Sequence, residues 1–241
     1  MNTENTFLAI LIQKRISIIL VRLRDGIPRD NRFGVVKTDT ARFWNRIAAK
    51  YAKRPVADEA SYKRKLLTTQ VYLRSEMEVL ELGCGTGTTA LHHAPFVKSI
   101  RATDISSEMI NIAREKAEKA GITNLTFEVG KVSDMLVEAD AYDVVMAHSL
   151  LHLLNDNGDT IRAVFRSLRP GGLFVTSTAC LDGGFKFMQP FWPVLVWLKI
   201  FPKLRFFSSD TLKKEHLEAG FVIEEEWQPK RPTIFLIARK P

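Results

Sequence analysis

Three glycines and one carboxylate carry the chemistry that can be read first. Gly83, Gly85 and Gly87 alternate directly after the apolar run 79–82, and Asp104 closes the next short strand-like run, 99–103. Glycines at the carboxyl end of a buried strand let the chain turn tightly and bring its N–H groups against a ligand, because no Cβ intervenes. An acid at the tip of the neighbouring strand, about 20 residues on, accepts both hydrogen bonds of a ribose diol. Hydrogen bonds to a charged acceptor contribute roughly 1.5–3 kcal/mol each, enough for one carboxylate to decide whether a nucleoside is held. The pattern therefore points to a nucleoside-bearing ligand.

The spacing is G-x-G-x-G, not the G-x-G-x-x-G of a dinucleotide fold, and Glu81 stands just before the turn. A pyrophosphate gains little beside a carboxylate, whereas a ligand with an ammonium and a sulfonium gains. A nicotinamide site or a purely structural glycine turn stays open on the glycines alone. The run E-L-G-C-G-T-G at 81–87 resembles the first motif of the class I S-adenosylmethionine-dependent methyltransferases. The resemblance implies that S-adenosyl-L-methionine is the cofactor, with Gly83, Cys84, Gly85 and Gly87 around its methionine portion and Glu81 near its ammonium. It implies Asp104 on the ribose, Ile105 and Met109 against the adenine, and Tyr51 over the methionine end.

Further motifs extend the likeness over about 40–241. Within strand four, 142–147, Asp143 stands just before the buried residues as in relatives, and Ala147-His148 falls where the cofactor's amino group and the acceptor meet in relatives. R-P-G-G at 169–172 leads into the apolar run 173–178. Two departures matter. Many relatives place Asp after the glycine of the third strand, where it accepts from the adenine amino group. This chain has Lys131, a donor only, which leaves that task to backbone groups at Val132 and Ser133 or to Asp134. No Asn/Asp-Pro-Pro-Tyr follows the fourth strand, which lowers the case for a nucleic-acid substrate. His148 is the candidate general base. His152, four residues on, reads as structural, and no third ligand stands near the pair to make a metal site.

The elements that must position these residues follow from pattern. Helical periodicity runs from about 39 to 52, with Phe43, Ile47 and Tyr51 on one face, and again over 57–72. Ser106 or Ser107 caps a helix with Met109, Ile112, Ala113 and Ala117 inward, ending at Gly121. Another helix over 156–168, a last one from 208–210 to Gly220, and a closing hairpin of 221–227 and 233–239 complete the chain. The fold class expected is α/β, a Rossmann-like doubly wound sheet of seven strands with an antiparallel last strand. The domain spans 39–241, with 39–75 as a helical cap and 182–207 as an apolar, Phe- and Trp-rich lid. Residues 1–38 form a basic, apolar extension preceding it, helical where the pattern shows.

Composition bounds the rest. Of 241 residues 46% are hydrophobic, ample for a core, and the formal charge is +8. Residues 1–75 hold 16 Lys+Arg against 6 Asp+Glu, whereas 76–241 are nearly neutral; such asymmetry suits contact with an anionic surface as well as it suits a solvated arm. The apolar stretch 7–24 is broken by Gln13, Lys14 and Arg15, too short to span a bilayer but fit to lie in its interface. No positive charge precedes it, so a signal peptide is not expected. Cys84 and Cys180 have no ligand-like spacing, which argues against a disulfide and for a reducing setting. The chain is thus expected to be cytoplasmic, with peripheral contact at the inner face of a membrane through 7–24 and 185–207. Overall form resembles the quinone- and lipid-methylating group, implying a small apolar acceptor. A nucleic-acid methyltransferase and a non-catalytic cofactor-binding regulator are the alternatives.

Overall fold

The structure, a computed structural model, describes residues 40–181, 189–190, 192–197, 202–230 and 232–241. The expectations for 1–38, and for 182–188, 191 and 198–201 of the lid, lie outside the described residues. Strands β1 Glu78–Leu82, β2 Ser99–Asp104, β3 Leu125–Val129, β4 Tyr142–His148, β5 Leu168–Ala179, β6 Val222–Trp227 and β7 Thr233–Arg239 form one sheet. Their order is β3-β2-β1-β4-β5-β7-β6. The first five run parallel, and β7 enters between β5 and β6 antiparallel to both. This is the doubly wound sheet with a reversed last strand, and strand order switches direction between β1 and β4.

Helices α1 Thr40–Ala52, α2 Glu59–Gln70, α3 Thr88–His93, α4 Ser107–Lys119, α5 Val132–Met135, α6 Asn157–Ser167, α7 Trp192–Trp197 and α8 Ser209–Glu218 surround it. Side-chain caps start four of them: Asp58, Ser106, Asp156 and Ser208 accept from the third following N–H at 3.0–3.2 Å. Each such cap contributes typically about 1 kcal/mol. In α4 the cap sets the phase: Met109, Ile110, Ala113 and Ala117 are buried. The expected inward Ile112 is only half-buried, because Ile110 takes that place on the stripe.

The central strands β1, β4, β5 and β7 bury both faces, so alternation sorts their side chains into two cores. Val79, Ile100, Ala102, Phe127, Val144, Met146 and Val175 pack with α4 on one face. Leu80, Leu82, Val145, Ala147, Phe174 and Leu236 pack with Ile161, Val164 and Leu212 on the other. At the amino ends of the strands, the Arg169 guanidinium donates to Asp143 Oδ2 at 2.7 Å and Glu78 Oε2 at 2.8 Å. Asp143 Oδ2 also accepts from Glu78 N at 2.7 Å, so three strands are pinned opposite the ligand edge. The R-P-G-G run supplies that arginine from inside β5. It is a bulge within one long strand, where pairing jumps from Tyr142↔Leu168 to Val144↔Leu173, and not a turn ahead of the strand.

The cap helix α2 is fastened to the far hairpin. The Arg64 guanidinium lies 4.2 Å from the Trp227 ring centroid, Tyr72 donates to Glu225 Oε1 at 3.1 Å, and Lys230 pairs with Asp58 at 3.5 Å. Helix α1 packs on α4, where Ser106 Oγ donates to Asn45 Oδ1 at 2.6 Å.

Gly87 shows why the turn into α3 needs glycine. Its φ is +74°, and a Cβ there would stand 2.8 Å from Ala113 Cβ and 2.9 Å from the Phe127 ring. Left-handed backbone costs a non-glycine residue about 1–2 kcal/mol, and the neighbours are core atoms with little room to yield. Gly87→Ala is expected to lower unfolding free energy by roughly 2 kcal/mol or more, read as a reduced urea midpoint at unchanged slope.

Candidate active site

Register brings the polar residues together. Ile100 and Ala102 of β2, Val79 of β1, Val144 and Met146 of β4 and Val175 of β5 share one sheet face. Continuing each strand by two-residue steps on that face gives Asp104, Glu81, His148 and Ser177 at the carboxyl ends. Pairing sets Met146 opposite Glu81 and Ser177 opposite His148. Asp104, Gly83, His148 and Ser177 therefore form one level across four strands, and Glu81 lies a level below, under the glycine. The missing side chain of Gly83 lets Leu150 pack close to this row.

Two adjoining cavities occupy the edge at the switch point. The first, about 910 Å³, is lined by Tyr51, Gly83, Gly85, Thr103, Asp104, Ile105, Met109, Val132, Ser133 and His148 among others. The second, about 470 Å³, is lined by Tyr51, Arg54, Tyr62, Lys65, Glu81, Gly83, Cys84, Gly85, Thr86, His93, His148 and Ser149 among others. The Tyr51 ring edge stands 3.9 Å from where a Gly85 Cβ would be, at the seam between the cavities. Gly83 and Gly85 both have positive φ, and a Cβ on Gly83 would meet Leu150 Cδ1 at 2.8 Å.

The Asp104 carboxylate is fixed before any ligand arrives. Oδ2 accepts from Gly85 N at 2.9 Å and Oδ1 from Ser106 N at 2.9 Å. Burial raises its pKa, and the amides of Ser106, Gly85 and Ile105 oppose that shift. Each oxygen keeps further acceptor capacity, and Asp104 lines the first cavity. Glu81 is different: 2% exposed, with Oε2 lacking a hydrogen-bond partner among the described residues. Burial, with Asp104 adding repulsion, pushes its carboxyl up to about 8. An orphaned acid beneath a glycine cradle fits a cationic group.

The histidines divide by placement. His148 lines both cavities, and its buried Nε2 has no partner among the described residues. Burial, then His93 and Lys65, lowers its pKa to about 3, so the ring is neutral at physiological pH. His152, in the turn Leu151–Leu153, lines the first cavity alone, with a buried Nδ1 unpartnered among the described residues, and its carbonyl accepts from Arg205 N at 2.8 Å. His93 is fully buried with neither ring nitrogen partnered among the described residues.

Gly87 and Ala147, two of the expected cofactor contacts, are not among the residues that line the two cavities. Gly87 is taken up by helix packing, and Ala147 faces the opposite core from His148, fully buried. Asp134 accepts from Ser133 Oγ at 2.9 Å and also stands outside the cavities. None of the described residues of 182–207 lines either cavity. The cysteines are free and buried. Sequence reasoning passed over three groups. Lys65, on the cap helix, carries no local signal. Ser177 follows from alternation along β5. Ser149 adopts φ +53° directly after β4 and lines both cavities; non-glycine residues in that region cluster at functional sites.

A doubly wound sheet with ligand-sized cavities at its switch point defines a Rossmann-like α/β protein that binds at the carboxyl edge. A family model described as a methyltransferase domain matches residues 73–217, more than half of the chain. An uncharacterized methyltransferase of Bacillus subtilis, YcgJ, is 30% identical over 102 residues, covering 42% of this chain and 40% of its own. A demethylmenaquinone methyltransferase of Leptospira interrogans is 31% identical over 103 residues, covering 41% of each chain. The crystal structure of YcgJ superposes with TM-score 0.58 at 22% identity, over 68% of this chain and 72% of that one. The chain belongs to the class I S-adenosylmethionine-dependent methyltransferases, and its cofactor is S-adenosyl-L-methionine. It spans about two fifths of the length of the two curated relatives.

The raised Glu81 carboxyl has a consequence for stability. A folded pKa near 8 against an ordinary value of 4.5 means the native state holds the proton more tightly. The associated stabilisation is complete below pH 4.5 and is lost as pH rises through 8. Glu81→Gln cannot titrate. In urea unfolding between pH 5 and pH 9, within and just beyond that window, the variant is expected to gain on the parent chain as pH rises. A parallel pair of pH profiles would leave Glu81 without a shifted proton.

Proposed function

We propose that the chain moves a methyl group from S-adenosyl-L-methionine to a small acceptor with an apolar, quinone- or lipid-like body. The observation that carries methyl transfer is the Asp104 carboxylate, clamped by two backbone amides at the wall of a cavity that the glycine turn keeps open. The cofactor, when bound, supplies a methyl group on a cationic sulfur whose departing thioether needs no protonation. The chain's own work is alignment and exclusion of water. Asp104 accepts from the ribose hydroxyls. Ile105 and Met109 give the adenine an apolar wall, with backbone groups at Val132 and Ser133 on its edge. Gly83 and Gly85 leave room for the methionine portion beside Cys84. Glu81 meets the ammonium, giving up the proton that burial otherwise keeps on it, and Tyr51 covers the seam. His148, with a pKa near 3, is a weak base; as a neutral imidazole it positions the acceptor.

Asp104→Ala is expected to weaken S-adenosylhomocysteine binding by more than tenfold in calorimetry, since it removes the charged partner of two hydrogen bonds. Unchanged affinity would take Asp104 out of the site. Methylated products are to be sought by mass spectrometry of cell extract incubated with isotope-labelled donor, and their absence would leave a binding protein without transferase activity.

The apolar acceptor is supported by the name of the Leptospira relative and by the surface of α7. On that short apolar helix Val194 is 54% and Trp197 69% exposed, an arrangement suited to peripheral contact with lipid. No helix among the described residues is long and apolar enough to cross a membrane. Flotation with anionic liposomes is expected to carry the full chain upward and to carry Trp197→Ser less. Equal failure of both to float counts against lipid contact.

A further inference from the structure

The ammonium of Lys65 reaches from α2 to the end of β5, where it donates to Ser177 Oγ at 3.2 Å. Among the described residues that hydroxyl is its one hydrogen-bond partner, and no carboxylate stands within ion-pair distance. Asp58, the acid that acts on it electrostatically, is already engaged by Ser61 N at 3.1 Å and by Lys230 at 3.5 Å. Burial lowers the pKa of Lys65, as expected for a cation withdrawn from water without a counter-ion. The groups facing it are the neutral His148 from β4, His93 from α3 and Arg54 from the loop before α2, all on the second cavity. Glu81, the acid of that cavity, is driven toward its uncharged form. Without cofactor the charge of the second cavity is therefore cationic, and with cofactor Glu81 is taken up by the ammonium in the proposed reading.

Lys65 shares the second cavity with the glycine turn, but its hydrogen bond directs the ammonium toward β5. Asp104 ends β2 and the glycine turn follows β1, whereas Ser177 lies on β5, two strands beyond β1 on the side away from β2. At about 4.8 Å per strand, Ser177 stands on the order of 10 Å across the sheet from the strand that carries the turn.

We propose that Lys65, held in place by its hydrogen bond to the buried Ser177, binds an anionic oxygen of the methyl acceptor from the wall of the second cavity, which makes the acceptor an acid (a phenol, an enol or a carboxylic acid) bound as its conjugate base. The inference rests on the methyl-transfer reading and narrows it to the reacting atom. An ammonium in direct contact favours the ionised form of a neighbouring oxygen, so the acceptor's proton leaves to solvent on binding. The oxygen's electron pair then forms the bond to the methyl carbon while sulfur keeps the pair of the bond that breaks. The opposite charges cancel, and a neutral ether or ester and a thioether remain with no proton to remove. The weak basicity of His148 is then no obstacle.

The test uses the full chain saturated with S-adenosylhomocysteine and titrated with 4-nitrophenol at a pH about one unit below that phenol's own pKa, a difference equivalent to about tenfold in ionisation. The phenolate absorption band is expected to grow saturably on binding. Lys65→Met is expected to abolish that growth and Lys65→Arg to keep most of it, with S-adenosylhomocysteine affinity by calorimetry unchanged in both. No band with the parent chain, or a band undiminished in Lys65→Met, overturns the proposal. A loss of S-adenosylhomocysteine affinity of tenfold or more in Lys65→Met also overturns it, assigning the ammonium to the cofactor's carboxylate. A parent chain that binds no S-adenosylhomocysteine removes the methyl-transfer reading itself, an outcome distinct from the other three.

Discussion

The hydrogen bonds from Gly85 N and Ser106 N to the two oxygens of Asp104 tie together pieces that the chain keeps apart. One amide belongs to the turn after β1, the other to the start of α4, and the carboxylate to the end of β2. Because both oxygens are held, the acid cannot swing away from the cavity, and the turn cannot close over it without losing a charge-assisted bond. The cradle of Gly83 and Gly85, the capping of α4 by Ser106 and the docking of α1 on Ser106 through Asn45 all converge on this carboxylate. Ligand recognition and the local architecture are in this respect the same set of bonds.

Beneath that clamp the sheet does the sorting. Alternation sends apolar side chains to two cores and leaves the last same-face position of each central strand polar, so a row of functional groups arises from strand length and register alone. The exception is Glu81, placed one level lower among apolar neighbours. Its burial is tolerable only with the proton on or a cation close by, which couples the state of this acid to what lies over the glycines.

Much of this was legible in the residues because it is local. The glycine turn, the acid beyond the next strand, the helix caps and the closing hairpin are set by spacing over a few turns of chain. Less legible is what a neighbour distant in sequence decides. Gly87 belongs with the other glycines by spacing, but Ala113 and Phe127 claim it for packing. Ala147 adjoins His148 in sequence and faces the other core, a distinction that two-residue alternation contains and proximity hides. Ile110 displaced Ile112 because the cap at Ser106 set the helical phase. Lys65 and Ser177 are 112 positions apart, and no periodicity in either segment announces their meeting.

The fastening of α2 to the hairpin links the two ends of the domain. Arg64 on Trp227, Tyr72 on Glu225 and Asp58 with Lys230 fix the helix that carries Lys65 and Tyr62. The groups proposed to hold the donor stand instead on β1, β2 and α4, with Tyr51 on α1. On that reading the outermost strands, remote from any chemistry, serve as a mount for the helix proposed to meet the acceptor, and drift in their sequence can retune selectivity while the proposed nucleoside contacts stay as they were.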